Sequence, residues 1–310
     1  MAPLAVVIVS WNVRDFLARC LESLAAHLDS SSIDARTVVV DNASGDGSAE
    51  MVRSRFPQVE VVALRENRGF AGGNNAGLRM LGFGPPPQSG RPAGRETGEV
   101  LLLNPDTEVC PGAIATLLDA RRSLPQAAVV TSRLSYGDGS FQHSAFRFPG
   151  LAQLYMDLFP VHPRLRESRF NGRYSRRRYD AGRPFEIDHP LGAVMLVRGE
   201  AIRQVGLLGE DFALYCEEID WCARFKAAGW RNYCAPSARI VHHGAKSTSQ
   251  ARVESFVRLW TARYRLHAKY PRFAPLPIAK RIVQAGMRRR MRGASPELRA
   301  ACQTLIDVWK

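Results

Sequence analysis

Short apolar runs alternate with polar clusters over the first hundred residues. Leu4 to Val9 is rich in β-branched residues, fit for a strand buried on both faces, and Ser10-Trp11-Asn12 ends it. Phe16, Leu17, Cys20, Leu21 and Leu24 then recur at helical spacing. Thr37 to Val40 predicts a second strand ending on Asp41-Asn42, and a helix is expected over 48–55 after a Gly/Ser/Asp turn. Val59 to Leu64 predicts a third strand. Residues 67–75 (NRGFAGGNN) read as a loop leading into a helix near 75–81. Val100 to Leu103 predicts a fourth strand, which stops on Asn104-Pro105-Asp106. This alternation predicts an α/β fold, a mostly parallel sheet with helices on both faces.

The second half is less regular. Val129-Val130 and Ala193 to Val197 suggest further strands, Glu217 to Ala228 a helix stopped by Gly229, and Arg239 to Val241 a short strand before His242-His243. Residues 84–98 (GPPPQSGRPAGRETG) are expected to be a disordered insertion within one domain, residues 1–249. Residues 250–310 form a separate, basic, helical extension in this reading. Its apolar stripes are Phe256, Leu259, Trp260 and Tyr264, then Ile278, Ile282, Val283 and Met287.

Charge sharpens the division. The chain of 310 residues has a formal net charge of +14. Residues 161–183 hold eight Arg against Glu167 and Asp180, and residues 250–310 hold fourteen Lys and Arg against Glu254, Glu297 and Asp307. The remainder is close to neutral, so two basic attachments await an anionic partner. No nucleic-acid reader motif accompanies them, and nucleic acid is not expected. Six scattered cysteines form no Cys-x-x-Cys pair, which fits a reduced, cytoplasmic compartment. No signal peptide is visible, and no apolar run reaches the ~18–20 residues of a membrane span.

Three strands end in polar groups: Ser10 and Asn12, Asp41, and Asn104 with Asp106. In an α/β sheet the carboxyl ends of strands are where ligands bind. Asp106 and Asn104 offer hard oxygen ligands on one turn, suited to Mg²⁺ or Mn²⁺, which take few protein ligands and complete their shells with phosphate. Alternatively, Asp106 caps a helix beginning near Pro111. The glycines at 69–73 offer backbone N–H groups to an anion, without the spacing of a dinucleotide or P-loop motif. Glu217, Glu218 and Asp220 open a helix, where the macrodipole favours carboxylates. Adjacent Glu217 and Glu218 are expected to diverge, one facing a cleft as a general base. His242 or His243 is a candidate metal ligand.

VVIVSWN, VVVDNASGDGS, NRGFAGGNNAG, LLLNPDTE, GAVMLVRGEAI, LYCEEIDWCARFKAAGW and VHHGAKST occur in that order. Together they resemble the family 2 glycosyltransferases, in particular their bacterial rhamnosyltransferase-like branch, over about residues 4–250. The resemblance implies a GT-A fold, Rossmann-like, and an inverting, metal-dependent transfer from a nucleoside-diphosphate sugar. Asp106 would hold Mg²⁺ or Mn²⁺, with His242 completing the shell and His243 as the alternative. Asn104 replaces the family's first Asp and would contact the nucleotide. Asp41 would bind the base, with Ser10 and Asn12 lining the nucleoside pocket. Arg68, Gly72 and Asn74 would form the donor loop, and Glu217 would join the donor site. Glu218 would be the general base, one methylene longer than the family's Asp. Implied also are dTDP-rhamnose as donor and a saccharide or polyprenyl-linked saccharide of the cell envelope as acceptor. The basic extension would sit on the anionic inner face of the plasma membrane or contact a second subunit in a homodimer. Another donor, such as UDP-galactofuranose or a UDP-hexose, and a silent sugar-nucleotide-binding scaffold are the rival readings.

Overall fold

The computed structural model describes residues 3–84, 98–212, 214–244 and 252–310. Most of the segment expected to be a disordered insertion (84–98) lies outside the described residues. The first half builds β1 (Leu4–Ser10), α1 (Arg14–Ser30), β2 (Ala35–Asp41), α2 (Ser48–Arg55), β3 (Glu60–Ala63), α3 (Gly69–Met80), β4 (Glu99–Leu103), β5 (Thr107–Val109) and α4 (Ala113–Ser123). Then come β6 (Ala127–Ser135), β7 (Phe141–Gln142), β8 (Ala145–Phe146), α5 (Leu151–Leu158), α6 (Pro163–Arg166) and α7 (Arg176–Asp180). They are followed by β9 (Phe185–Ile187), β10 (His189–Pro190), β11 (Val194–Arg198), α8 (Gly199–Val205), α9 (Glu217–Ala227) and β12 (Arg231–His242). The last three are α10 (Arg252–Lys269), α11 (Leu276–Met291) and α12 (Pro296–Val308).

The main sheet runs β3-β2-β1-β4-β11-β6-β12-β5. β3, β2, β1 and β4 are parallel, as are β6 and β12; β11 enters antiparallel between β4 and β6. Strand alternation divides the core. Leu4, Val6 and Ile8 pack with α1, α2 and α4 on one face, while Ala5 and Val7 pack with α3, α8 and α9 on the other. The expected α/β architecture is therefore present, with helices on both faces.

Two local expectations fail for physical reasons. The glycine-rich stretch is not a loop but the first two turns of α3. Its glycines permit close packing on β1: a Cβ on Gly73 would stand 2.6 Å from a Val9 methyl carbon, and one on Gly77 2.5 Å from a Val7 methyl carbon. The missing Cβ atoms thus let the helix approach the sheet closely. The short strand expected at 239–241 is the end of the much longer β12, whose pairing with β6 shifts register between Ala235 and Arg239.

The apolar stripes of the extension are largely used inside the protein. Trp260, Val283, Met287, Leu305 and Trp309 form one cluster with Leu154 and Leu158 of α5. Ala262 and Leu266 of α10 pack on Phe212, Cys216 and Ile219. Polar links reinforce this seam. Asp220 of α9 is fully buried and meets Arg224 Nε at 2.9 Å and Lys269 Nζ at 2.7 Å, and Tyr270 Oη donates to it at 2.7 Å.

Candidate active site

A cavity of about 790 Å³ opens at the carboxyl ends of β1 and β4. Among its lining residues are Trp11, Asn104, Asp106, Glu217, Glu218 and His242. The turn after β4 carries Asp106 directly into β5, while α4 begins only at Ala113 behind a left-handed Gly112. Asp106 therefore caps no helix. It is 6% exposed and points toward the last residue of β12: His242 Nε2 lies 3.3 Å from Asp106 Oδ1.

The other ring nitrogen explains that approach. His242 Nδ1 is 3.0 Å from Gln142 Oε1, an acceptor, so Nδ1 carries the proton. Nε2 faces a carboxylate oxygen, as a lone pair in the neutral ring and as a donor in the protonated one. Two electron-rich atoms at that distance need a proton or a cation to share, and this donor pair suits a hard divalent ion. His243 also lines the cavity, with Nε2 2.7 Å from Glu108 Oε1 and its ring 5.3 Å from Phe16. Among the described residues, no group of three or more His, Cys, Asp and Glu side chains forms a metal cage. An ion held here would take most of its ligands from substrate phosphate or water.

Glu217 and Glu218 were expected to diverge, yet both line the cavity. The cause is the entry to α9. Tyr215 and Cys216 adopt φ of 72° and 71°, left-handed geometry that non-glycine residues rarely take. The helix therefore begins at Glu217, and its first residues face the cavity rather than solvent. Gly192 (φ +89°) lies opposite, where a Cβ would come 3.6 Å from Glu218 Cγ. Burial raises the Glu218 carboxyl to about 7, into the range of a general base at neutral pH. Burial, then the charge of Glu218, holds Glu217 well above the usual carboxylate range. Glu217 Oε2 has no hydrogen-bond partner among the described residues. Cys216 packs in the apolar cluster beneath α10 and takes no part in the cavity wall.

The other strand-end residues, Ser10, Asn12 and Asp41, are not among the cavity's lining residues, though their neighbours Val9, Trp11 and Asn42 are. Ser10 Oγ and Asp41 Oδ1 are buried with no hydrogen-bond partner among the described residues. Such unsatisfied atoms are costly in a finished core and ordinary in a binding site awaiting a polar ligand. Asn12 (φ 52°) accepts from the backbone N–H of Gly45 at 2.8 Å, which shapes the turn beside Asp41. The Asn104 side chain lines the cavity with no hydrogen bond among the described residues. Arg68, Gly72 and Asn74 do not line the cavity. Arg68 pairs with Glu210 at 3.3 Å, Gly72 sits inside α3, and Asn74 donates to the Phe70 carbonyl at 2.9 Å. In their place Asn42, Asn67, Gly69 and Phe70 line the cavity, because the helix starts at Gly69, nearly two turns earlier than expected.

Comparison with known proteins identifies the architecture. Residues 5–82 match the profile of Glycosyl transferase family 2. N-acetylglucosaminyl-diphospho-decaprenol L-rhamnosyltransferase of Mycobacterium tuberculosis is 30% identical over 252 residues, 80% of this chain and 78% of the relative. The chain belongs to glycosyltransferase family 2. The low-salt glycan biosynthesis hexosyltransferase Agl10 of Haloferax volcanii is 27% identical over 191 residues, 61% of this chain and 53% of that protein. A crystal structure of GalNAc-T7 with UDP, GalNAc and Mn²⁺ superposes with a TM-score of 0.56 at 16% identity. That match covers 78% of this chain and 44% of the other, and it shows the GT-A fold.

Several residues of this glycosyltransferase's cavity escaped the sequence reading. Gln142 lies on a two-residue strand with no motif of its own. Tyr136 gave no signal beyond being aromatic. Glu254, Ser255 and Arg258 come from α10, so the extension helps to line the active-site cavity. Only a long-range packing pattern, invisible in local periodicity, would have revealed them.

Proposed function

We propose that the enzyme transfers a sugar, rhamnose from dTDP-rhamnose first among candidates, to a hydroxyl of a diphospho-lipid-linked saccharide, with inversion at the anomeric carbon. The carrying observation is that Glu218, with a pKa of about 7, and the Asp106–His242 pair open into one cavity. The M. tuberculosis relative's name supports both the rhamnosyl donor and the lipid-linked acceptor.

In this reading Ser10 and Asp41 supply the unsatisfied polar atoms of the nucleoside pocket, and Asn104 faces the nucleotide. Asp106 and His242 would hold Mg²⁺ or Mn²⁺, which when bound offsets the charge developing on the leaving diphosphate. Glu218 accepts the proton of the attacking hydroxyl. Protonated Glu217 donates a hydrogen bond into the same space, so the two carboxyls take different roles in one site. Trp11 and the first turns of α10 add to the wall of the same cavity. No covalent intermediate on the enzyme is required.

Among the described residues, no helix is long and apolar enough to cross a membrane. The extension's apolar stripes are largely packed against the rest of the protein, with Ile278 (46%) exposed, which weakens its assignment as the lipid anchor. The better surface lies at 155–170, where Tyr155 (47%), Leu165 (42%) and Phe170 (54%) are exposed beside Arg164, Arg166 and Arg169. This mixture of large apolar and basic side chains suits an anionic leaflet, and we assign the enzyme to the inner face of the plasma membrane through it. Incubation with dTDP-rhamnose and a short-chain diphosphate-linked acceptor tests the function. An α-linked product from a β-donor is expected; retention of configuration, or no product with any sugar nucleotide, contradicts it.

A further inference from the structure

A second cavity of about 230 Å³ adjoins the first and shares Leu191 and Glu218 with it. The proposed base therefore stands in the wall between the two. Three arginines, Arg147, Arg173 and Arg263, line this smaller space, against two acidic residues, Asp157 and Glu218. Arg263 is engaged by Asp157 at 2.7 Å, and Arg173 lies 3.6 Å from Glu167. Arg147 lies over the Tyr174 ring, 5.1 Å from its centroid, and has no carboxylate partner among the described residues. At the inner end is His267, which is completely buried. Neither of its ring nitrogens has a hydrogen-bond partner among the described residues. Burial holds that imidazole down to about 4, so it is neutral and presents one N–H and one lone pair.

An excess of guanidinium groups and an unsatisfied buried donor describe a space prepared for anionic oxygens, and planar guanidinium forks match phosphate. The Asn171 and Arg173 side of the cavity belongs to the turn that carries exposed Phe170, and the Asp157 side belongs to the helix that carries exposed Tyr155. Asn171 and Arg173 thus join the cavity wall to the basic segment that carries exposed Phe170.

We propose that this second cavity binds the phosphate groups of the acceptor, the diphosphate that joins the accepting sugar to its lipid. The proposal rests on the transfer reading above for the identity of the phosphate carrier, though not for its charge. The accepting hydroxyl must reach Glu218, and the cavity that Glu218 shares with Arg147, Arg173 and His267 would then receive the diphosphate beyond the sugar. The lipid chain leaves past Tyr155 and Phe170.

The test is calorimetric titration of the full chain with geranyl diphosphate, with the first cavity saturated by dTDP and Mg²⁺. Wild-type protein is expected to bind it, and the Arg147→Gln/Arg173→Gln double variant to bind at least tenfold more weakly, with dTDP affinity unchanged. Neutral geraniol should bind neither protein. Unchanged affinity in the double variant, with an unchanged unfolding midpoint, overturns the proposal, and so does displacement of geranyl diphosphate by dTDP. Titration with dTDP alone separates the two claims. If dTDP fails to bind while geranyl diphosphate still binds through the arginines, the transfer reading falls and the anion subsite stands.

Discussion

His242 Nε2 faces Asp106 Oδ1 at 3.3 Å because Gln142 Oε1, 3.0 Å from Nδ1, fixes the imidazole tautomer. The ring nitrogen is thereby directed at a carboxylate, an arrangement that suits a divalent cation bound between them. Gln142→Leu removes only the orienting partner. It is expected to weaken the dependence on Mn²⁺ by about 10- to 100-fold. The check is the Mn²⁺ concentration giving half-maximal donor turnover, at constant donor. The same half-saturation in wild type and variant would remove Gln142 from any metal role.

Glu218 carries a prediction of defined sign. As the base it must be ionised, so the transfer rate rises with pH through about 7, and Glu218→Gln lowers it by about 10²–10⁴-fold. Stability runs the other way. The unfolded chain releases this proton near the ordinary 4.5, whereas the folded chain keeps it to about 7. Between those values the folded state binds more protons, and stability falls as pH rises. Glu218→Gln therefore leaves stability unchanged below pH ~4.5 and raises it above pH ~7, on the order of 1–3 kcal/mol. Urea denaturation at pH 4 and pH 8 measures both limits.

Asp220 ties α9, which positions Glu217 and Glu218, to the end of α10. It is completely buried and engaged by Arg224, Lys269 and Tyr270. Removing one member of a buried charge network leaves the others uncompensated, so Asp220→Ala is expected to cost about 3–5 kcal/mol. Deleting residues 250–310 goes further, uncovering Leu154 and Leu158 together with the apolar cluster around Cys216. Such a truncation is expected to lose cooperative thermal unfolding. A truncated chain as stable as the whole would show that the extension is a separable domain.

How much of this was legible in the sequence follows from range. β1, α2 and α9 follow from local periodicity and capping, and α2 spans the predicted 48–55. The three polar strand ends also followed from topology alone. α3 starts at Gly69 rather than near residue 75, for a reason local pattern does not carry. Gly73 and Gly77 answer a tertiary demand, the close approach of Val9 and Val7. The shared orientation of Glu217 and Glu218 depends on the left-handed backbone at Tyr215 and Cys216, which no residue-type pattern announces. Gln142 and the α10 residues reach the cavity only through long-range packing.

The membrane assignment yields a separable test. Replacing Tyr155 and Phe170 together by Ser is expected to reduce flotation with phosphatidylglycerol vesicles, while Ile278→Ser on the extension leaves it intact. The wild-type interaction should weaken as salt rises, as the arginines are screened. Flotation lost only with Ile278→Ser would return the anchor to the extension.

The central claim is a metal-assisted transfer site at Asp106, His242 and Glu218. It is tested most directly by release of nucleoside diphosphate from a panel of sugar nucleotides, with Mg²⁺ and then with EDTA. The account predicts slow release from one donor, lost with EDTA and with Asp106→Ala. Release that survives both, or no release and no nucleotide binding from any donor, would contradict it.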